Sequence, residues 1–174
     1  MKKVLIIGAG AMGAAFSVPL IDNNQKVTLT EPYNPNLLKK LKNKKKFHPA
    51  LKINLSHKLN IKKFNSELLN EKWDLIVVAV SSVGIDMIKN YLKNLKQKTL
   101  ILVLTKGLKF QKKSKKLISM SEQLNLNKKN LNISILKGPC LAKELARKVK
   151  SYTVIANKNI STVSYTHLTL PTKN

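Results

Sequence analysis

Short apolar segments alternate with amphipathic ones along most of this chain. Segments 74–80 and 99–104 are almost free of polar residues, which is typical of strands buried on both faces of a parallel sheet. Residues 85–96 instead carry apolar side chains at helical spacing with lysines between them. The predicted strands are 4–7, 26–30, 60–64, 74–80, 99–104, 132–136 and 151–156, and helices are predicted after the glycine-rich segment 8–13 and at 65–72, 85–96, 115–124 and 141–149.

This alternation predicts an α/β fold with a Rossmann-like, doubly wound, mainly parallel sheet. The lysine-rich segment 37–58 breaks the alternation, and we interpret it as a helix followed by a loop. Ligands of such sheets bind outside the carboxyl ends of the strands. We therefore expect the functional residues in the turns that follow strands.

The glycine-rich segment 8–13 follows the first predicted strand directly and has the pattern G-x-G-x-x-G. Glycines in this pattern allow a tight turn, close approach of a pyrophosphate to the backbone, and close packing of helix and sheet. Glu31 directly follows the second predicted strand, at the place where an acidic side chain binds the ribose hydroxyls of a dinucleotide. Its charge would repel a 2′-phosphate, which favours NAD over NADP, although Lys39 and Lys40 nearby would weaken that preference.

The same amino-terminal region has a second interpretation. Residues 4–21 are uncharged and follow Lys2 and Lys3, as in a signal peptide. Three glycines are poorly suited to a membrane-inserting helix, so we favour the dinucleotide loop.

Three further turns carry candidate binding residues. Ser81 begins a turn of small residues that leaves room for a cofactor, although a plain strand-to-helix turn would look the same. Lys106 precedes a glycine after the next predicted strand and would direct an ammonium group into the cleft. Cys140 follows a Gly-Pro turn at a predicted helix start, where it either faces a substrate or is a thiol buried in the core.

Composition limits the alternatives. Lys and Arg number 33 against 8 Asp and Glu, giving a formal charge of +25, and 43% of the residues are hydrophobic, enough for a core. Arg147 is the only arginine and aromatic residues make up 5%, which is unlike a nucleic-acid site. A single cysteine excludes an internal disulfide, and the Cys and His spacing does not match a zinc site, so no metal is expected.

In this order, segments 8–13, 79–82, 105–107 and 138–144 closely resemble the N-terminal half of bacterial NAD(P)-dependent glycerol-3-phosphate dehydrogenase. The resemblance implies a cytoplasmic oxidoreductase of phospholipid biosynthesis that transfers a hydride between NAD(P)H and dihydroxyacetone phosphate or sn-glycerol 3-phosphate. This family usually has Ser or Thr in place of Cys140, and Pro in place of Ser81. Ketopantoate reductases have a similar glycine-rich start but lack the later segments.

The resemblance also implies roles for individual residues. Lys106 matches a lysine that touches both cofactor and substrate, and it is the candidate catalytic residue. Gly138 and Cys140 match substrate contacts. The family's proton-transfer lysine belongs to a C-terminal helical domain and has no match here. Matches to cofactor contacts are Gly8, Gly10, Ala11, Met12, Gly13, Lys106 and Ala142, to which the strand-end pattern adds Glu31 and Ser81.

From residue 163 onward the sequence resembles a translated sequencing-library adaptor. We expect a dinucleotide-binding domain at 1–162 and an adaptor-derived tail at 163–174, with a natural divergent tail as the alternative; the codons would distinguish them. The family's second domain would then be missing and the fragment inactive alone.

The expected partner is a small phosphorylated substrate. We expect neither a membrane nor a specific nucleic acid as a partner, and the full-length protein could form a homodimer. The alternative function is a non-catalytic basic module of the same fold that binds nucleic acid or an acidic partner.

Overall fold

The computed structural model describes residues 1–95, 99–112, 114–125 and 131–157. Its main feature is a seven-stranded sheet in which all neighbouring strands are parallel except one pair at an edge of the sheet. From one edge to the other the strands are β11 (Val154–Asn157), β10 (Asn132–Lys137), β7 (Leu100–Val103), β6 (Leu75–Val78), β1 (Lys3–Ile7), β2 (Lys26–Thr30) and β5 (Asn60–Ile61).

Helices cover both faces of this sheet. Successive residues of β1 point to opposite faces, so Val4 and Ile6 belong to one hydrophobic cluster, and Leu5 and Ile7 to the other. The first cluster includes residues of α1 (Ala11–Asp22) and α6 (Ala142–Ala146), and the second includes residues of α3 (Ser66–Asn70), α4 (Ile85–Lys93) and α5 (Met120–Asn125). Burial on both faces explains why the central strands are continuous apolar runs. The predicted fold class is confirmed.

Asn65, the first residue of the predicted helix 65–72, caps α3. Its side-chain oxygen accepts a hydrogen bond from the amide of Leu68 at 2.8 Å. This satisfies one of the amides that lack a partner inside the helix.

Two elements differ from their prediction. Residues 115–124 do not form one helix: β8 (Leu108–Gln111) and β9 (Lys116–Ser119) pair antiparallel, and only the short α5 follows. The left-handed backbone at Lys115, with φ of 51°, precedes β9, and Phe110 pairs with Leu117 across the hairpin. This pairing takes precedence over the helical spacing of the apolar residues.

Segment 37–58 also contains more structure than a helix and a loop. After α2 (Pro35–Leu41) the chain forms a two-stranded ribbon of β3 (Phe47–His48) and β4 (Ile53–Asn54). The last strand begins later than predicted and runs antiparallel to β10. The predicted strand at 60–64 is limited to Asn60 and Ile61.

Candidate functional site

The candidate site is the crevice at the carboxyl end of β1. This strand lies between β2, which follows it in the chain, and β6, which is reached by a long crossover. Connections from the carboxyl ends of β1 and β6 therefore lead to opposite sides, which opens a crevice between them.

The glycine-rich segment connects β1 to α1 in this crevice. Gly8 has φ of 109°, and a Cβ placed on it would lie 2.7 Å from the carbonyl carbon of Ala79. A Cβ on Gly13 would lie 1.9 Å from the carbonyl oxygen of Gly8. These two glycines are therefore required by packing between the loop, the turn after β6 and α1.

Gly10 differs from both. Its φ of −62° and ψ of 179° suit any residue, and a Cβ placed on it would have nothing within 4 Å. It is the N-cap residue of α1, and it makes no side-chain hydrogen bond to the first amides of this helix. The first amides of a helix lack intrahelical partners and carry partial positive charge. The open space at Gly10 therefore adjoins a set of donors suited to an anion, with Ala11, Met12 and Gly13 in the first turn.

Glu31 lies beside this loop, as its predicted role requires. One carboxylate oxygen accepts the amide of Ala9 at 2.7 Å, and the other accepts the amides of Tyr33 at 2.8 Å and Asn34 at 3.2 Å. These bonds fix a negative charge at the end of β2, next to the glycine loop. Contact of Glu31 with a ribose stays a prediction.

Tyr33 was not identified from the sequence, where an aromatic residue in a Pro/Asn-rich turn was the only available signal. Its hydroxyl donates to the carbonyl of Gly84 at 2.5 Å, and a Cβ on Gly84 would lie 2.6 Å from the tyrosine ring. The pKa of Tyr33 is raised by burial and by the nearby carboxylates of Glu31 and Asp86. Tyr33 thus connects the turn after β2 to the turn after β6.

The ends of β6 and β7 are joined by Thr105, whose hydroxyl donates to the carbonyl of Val80 at 2.8 Å. The next residue, Lys106, has an exposed side chain, and Ser81 is also exposed at the start of the turn after β6. A Cβ on Gly107, which has φ of 124°, would lie 3.6 Å from that of Ser82. The predicted sites at Ser81 and Lys106 therefore lie in turns that approach each other.

The turn after β10 places Gly138 at the surface and Cys140 in the interior. Gly138 has φ of 120°, and the amide of Cys140 donates to its carbonyl at 2.9 Å. Cys140 is 3% exposed and belongs to the same hydrophobic cluster as Leu136 and Leu145, with Ala142 packed against that cluster at the start of α6. The structure thus places this thiol in the core; a substrate contact at Cys140 stays a prediction.

Burial raises the pKa of the Cys140 thiol; the Lys106 ammonium opposes this shift, Glu144 reinforces it, and a hydrogen bond with Ser151 opposes it. Only the thiolate reacts with disulfide reagents. At pH 8 we expect native Cys140 to react with such a reagent at least ~10-fold more slowly than in the chain unfolded by guanidinium. Because Cys140 is the only cysteine, the absorbance signal belongs to it alone. Equal rates would contradict its burial.

Within residues 1–95, 99–112, 114–125 and 131–157, no group of three or more His, Cys, Asp or Glu side chains could hold a metal ion. No helix within those residues combines the length and apolar composition needed to cross a membrane.

Comparison with known proteins assigns the family. The profile described as NAD-dependent glycerol-3-phosphate dehydrogenase N-terminus matches residues 3–163. This chain belongs to that family. The predicted family is confirmed, and the predicted NAD-type cofactor agrees with the description of the matching profile as NAD-dependent.

Several relatives of the glycerol-3-phosphate dehydrogenase family are similar over most of this chain. The NAD(P)+ enzyme of Clostridium botulinum strain Alaska E43 is 30% identical over 168 residues, covering 94% of this chain and 48% of the relative. That of Francisella tularensis strain WY96-3418 is 30% identical over 172 residues, with the same coverage of 94% and 48%. The chain therefore spans about half the length of these relatives.

Solved structures support the glycerol-3-phosphate dehydrogenase N-terminal fold. The enzyme of Coxiella burnetii superimposes with a TM-score of 0.77 at 23% identity, covering 94% of this chain and 49% of that one. The Plasmodium falciparum enzyme gives 0.78 at 18% identity, covering 98% of this chain and 50% of that one.

The predicted tail at 163–174 lies outside the described residues and stays a prediction, as do the individual site roles.

Proposed function

We propose that this domain binds NAD in the crevice at the carboxyl end of β1 and forms the cofactor half of a glycerol-3-phosphate dehydrogenase. The enzyme would transfer a hydride between NAD(P)H and dihydroxyacetone phosphate or sn-glycerol 3-phosphate. The observation that carries this proposal is the open backbone at Gly10, at the start of α1, in a chain of this family. The pyrophosphate would accept hydrogen bonds from the amides of the loop and of the first turn of α1.

Glu31 and Lys106 would act at opposite ends of the dinucleotide. Glu31 has a fixed carboxylate at the end of β2, suited to accept hydrogen bonds from ribose hydroxyls. Lys106 is exposed and follows β7, whose carboxyl end lies at the same edge of the sheet as that of β2. When bound, the nicotinamide supplies or accepts the hydride.

Positive charge at Lys106 would stabilise the negative charge that develops on the substrate's carbonyl oxygen during reduction. Gly138 would complete the substrate side, together with Cys140 only if its thiol leaves the core when substrate binds, and Ser81 and Ala142 would complete the cofactor side. We further propose that the 174-residue chain binds the cofactor without turnover, because the family's proton-transfer lysine has no match in it.

Titration of the purified chain with NADH and NADPH tests this proposal. We expect NADH to bind about 10-fold more tightly, because the Glu31 carboxylate repels a 2′-phosphate. In Glu31→Gln, which keeps the size of the side chain and removes its charge, we expect the two affinities to converge. Melting curves of both proteins, recorded in parallel, show whether a weaker hydrogen bond between the Ala9 amide and residue 31 destabilises the domain.

DNA added as a competitor at two salt concentrations tests the alternative function. Tight, salt-sensitive DNA binding without dinucleotide binding would overturn the proposal in favour of a basic binding module. Turnover of dihydroxyacetone phosphate by the 174-residue chain would overturn the statement that it is inactive alone.

A further inference from the structure

His48 lies buried beneath the glycine loop. It belongs to the ribbon of β3 and β4, is 1% exposed, and both of its ring nitrogens have backbone partners. Nε2 lies 2.9 Å from the carbonyl oxygen of Ala9, 39 residues away in sequence. Nδ1 accepts a hydrogen bond from the amide of Leu51 at 3.3 Å.

These two hydrogen-bond partners determine which nitrogen of the His48 ring carries the proton. The amide of Leu51 can only donate, so Nδ1 must carry a lone pair and no proton. A carbonyl oxygen can only accept, so Nε2 must carry the proton. His48 is therefore the neutral tautomer that donates from Nε2 to Ala9.

That hydrogen bond also determines the direction of the next amide. The described peptide bonds are all trans, so the Gly10 N–H points opposite to the Ala9 carbonyl within one planar unit. Since the carbonyl points to His48, the Gly10 N–H points away from the ribbon. The amide on the other side of Ala9 is held by Glu31 at 2.7 Å. Two side chains from distant segments thus fix the orientation of this part of the loop.

We propose that His48 is a positioning residue, which directs the Gly10 N–H toward the pyrophosphate of a bound dinucleotide. The inference rests on the proposed function only in taking the glycine loop as the site of that pyrophosphate. In solution a free loop amide would sample several orientations. When the Gly10 amide is already fixed in the free protein, binding of the dinucleotide no longer bears the entropy cost of ordering it.

The test compares three substitutions at position 48. His48→Phe keeps a ring and removes both nitrogens, and we expect it to raise the Kd for NADH about 10-fold. His48→Leu serves the same purpose, with more room in the pocket, if the phenylalanine variant does not fold. His48→Gln retains an N–H donor at similar reach, and we expect it to bind NADH within about 3-fold of the unsubstituted chain.

Leu55→Ala is the matched control. Leu55, just after the ribbon, is 5% exposed and belongs to the hydrophobic cluster that also contains Ala9 and Leu51, and its apolar side chain makes no hydrogen bond to the loop. This variant is expected to lower the melting temperature and leave the Kd for NADH unchanged. All affinities are measured below the onset of melting of the least stable variant.

The outcomes separate the inference from the proposed function. If the unsubstituted chain binds no NADH, the proposed function fails. If it binds NADH but His48→Phe or His48→Leu binds equally well, the positioning role is wrong. It is also overturned if Leu55→Ala weakens binding as much, or if His48→Gln binds as weakly as His48→Phe or His48→Leu.

Discussion

Gly10→Asp is expected to abolish measurable NADH binding while leaving the melting temperature of the domain within a few degrees of the unsubstituted chain. Backbone angles at Gly10 suit any residue, and the added Cβ has nothing within 4 Å. Aspartate is also a favoured residue at the start of a helix, so folding changes by only about a few tenths of a kcal/mol.

The same substitution is expected to weaken binding of the dinucleotide strongly. The carboxylate at position 10 would occupy the space left for the pyrophosphate and would repel its charge. A repulsion of roughly 3 kcal/mol corresponds to a loss of affinity of about 100-fold or more. Calorimetric titration with NADH measures the loss, and circular dichroism checks the fold.

Gly10→Asn separates bulk from charge, because its side chain has nearly the same size and is neutral. We expect an affinity between those of the unsubstituted chain and of Gly10→Asp. Unchanged affinity in Gly10→Asp would mean that the glycine loop is not the phosphate site.

Gly13→Ala is expected to destabilise the whole domain. The new Cβ would lie 1.9 Å from the carbonyl oxygen of Gly8 and 3.1 Å from the Cβ of Ala79, so α1 would have to move away from the sheet. Overpacking of this kind costs about 3 kcal/mol. Helix propensity alone predicts the opposite sign, because alanine is favoured over glycine inside a helix by about 1 kcal/mol.

Urea unfolding of Gly13→Ala and Gly10→Ala measures this difference. The two variants add the same methyl group three positions apart, and only the one at position 13 meets neighbouring atoms. We therefore expect Gly10→Ala to unfold at nearly the same urea concentration as the unsubstituted chain. A Gly13→Ala domain as stable as the unsubstituted one would contradict the close packing of α1 on β1.

Some structural features were not predictable from local pattern. The apolar residues of 115–124 have helical spacing, yet part of this segment pairs with 108–111 as a hairpin. His48 and Tyr33 make their decisive hydrogen bonds to Ala9 and Gly84, which are 39 and 51 residues distant. Such contacts depend on how separate segments come together, and no local spacing encodes them.

The sequence by itself determined the central strands, the parallel sheet, the glycine loop and the acidic residue at the end of β2. Those features follow from burial on two faces and from the conformations that only glycine tolerates, which are properties of neighbouring residues. The tertiary structure alone decided that Gly10 adjoins open space while Gly13 does not, that Cys140 lies in the core, and that His48 forms a hydrogen bond with the Ala9 carbonyl of the glycine loop. These depend on packing between distant segments, which exists only in the folded chain.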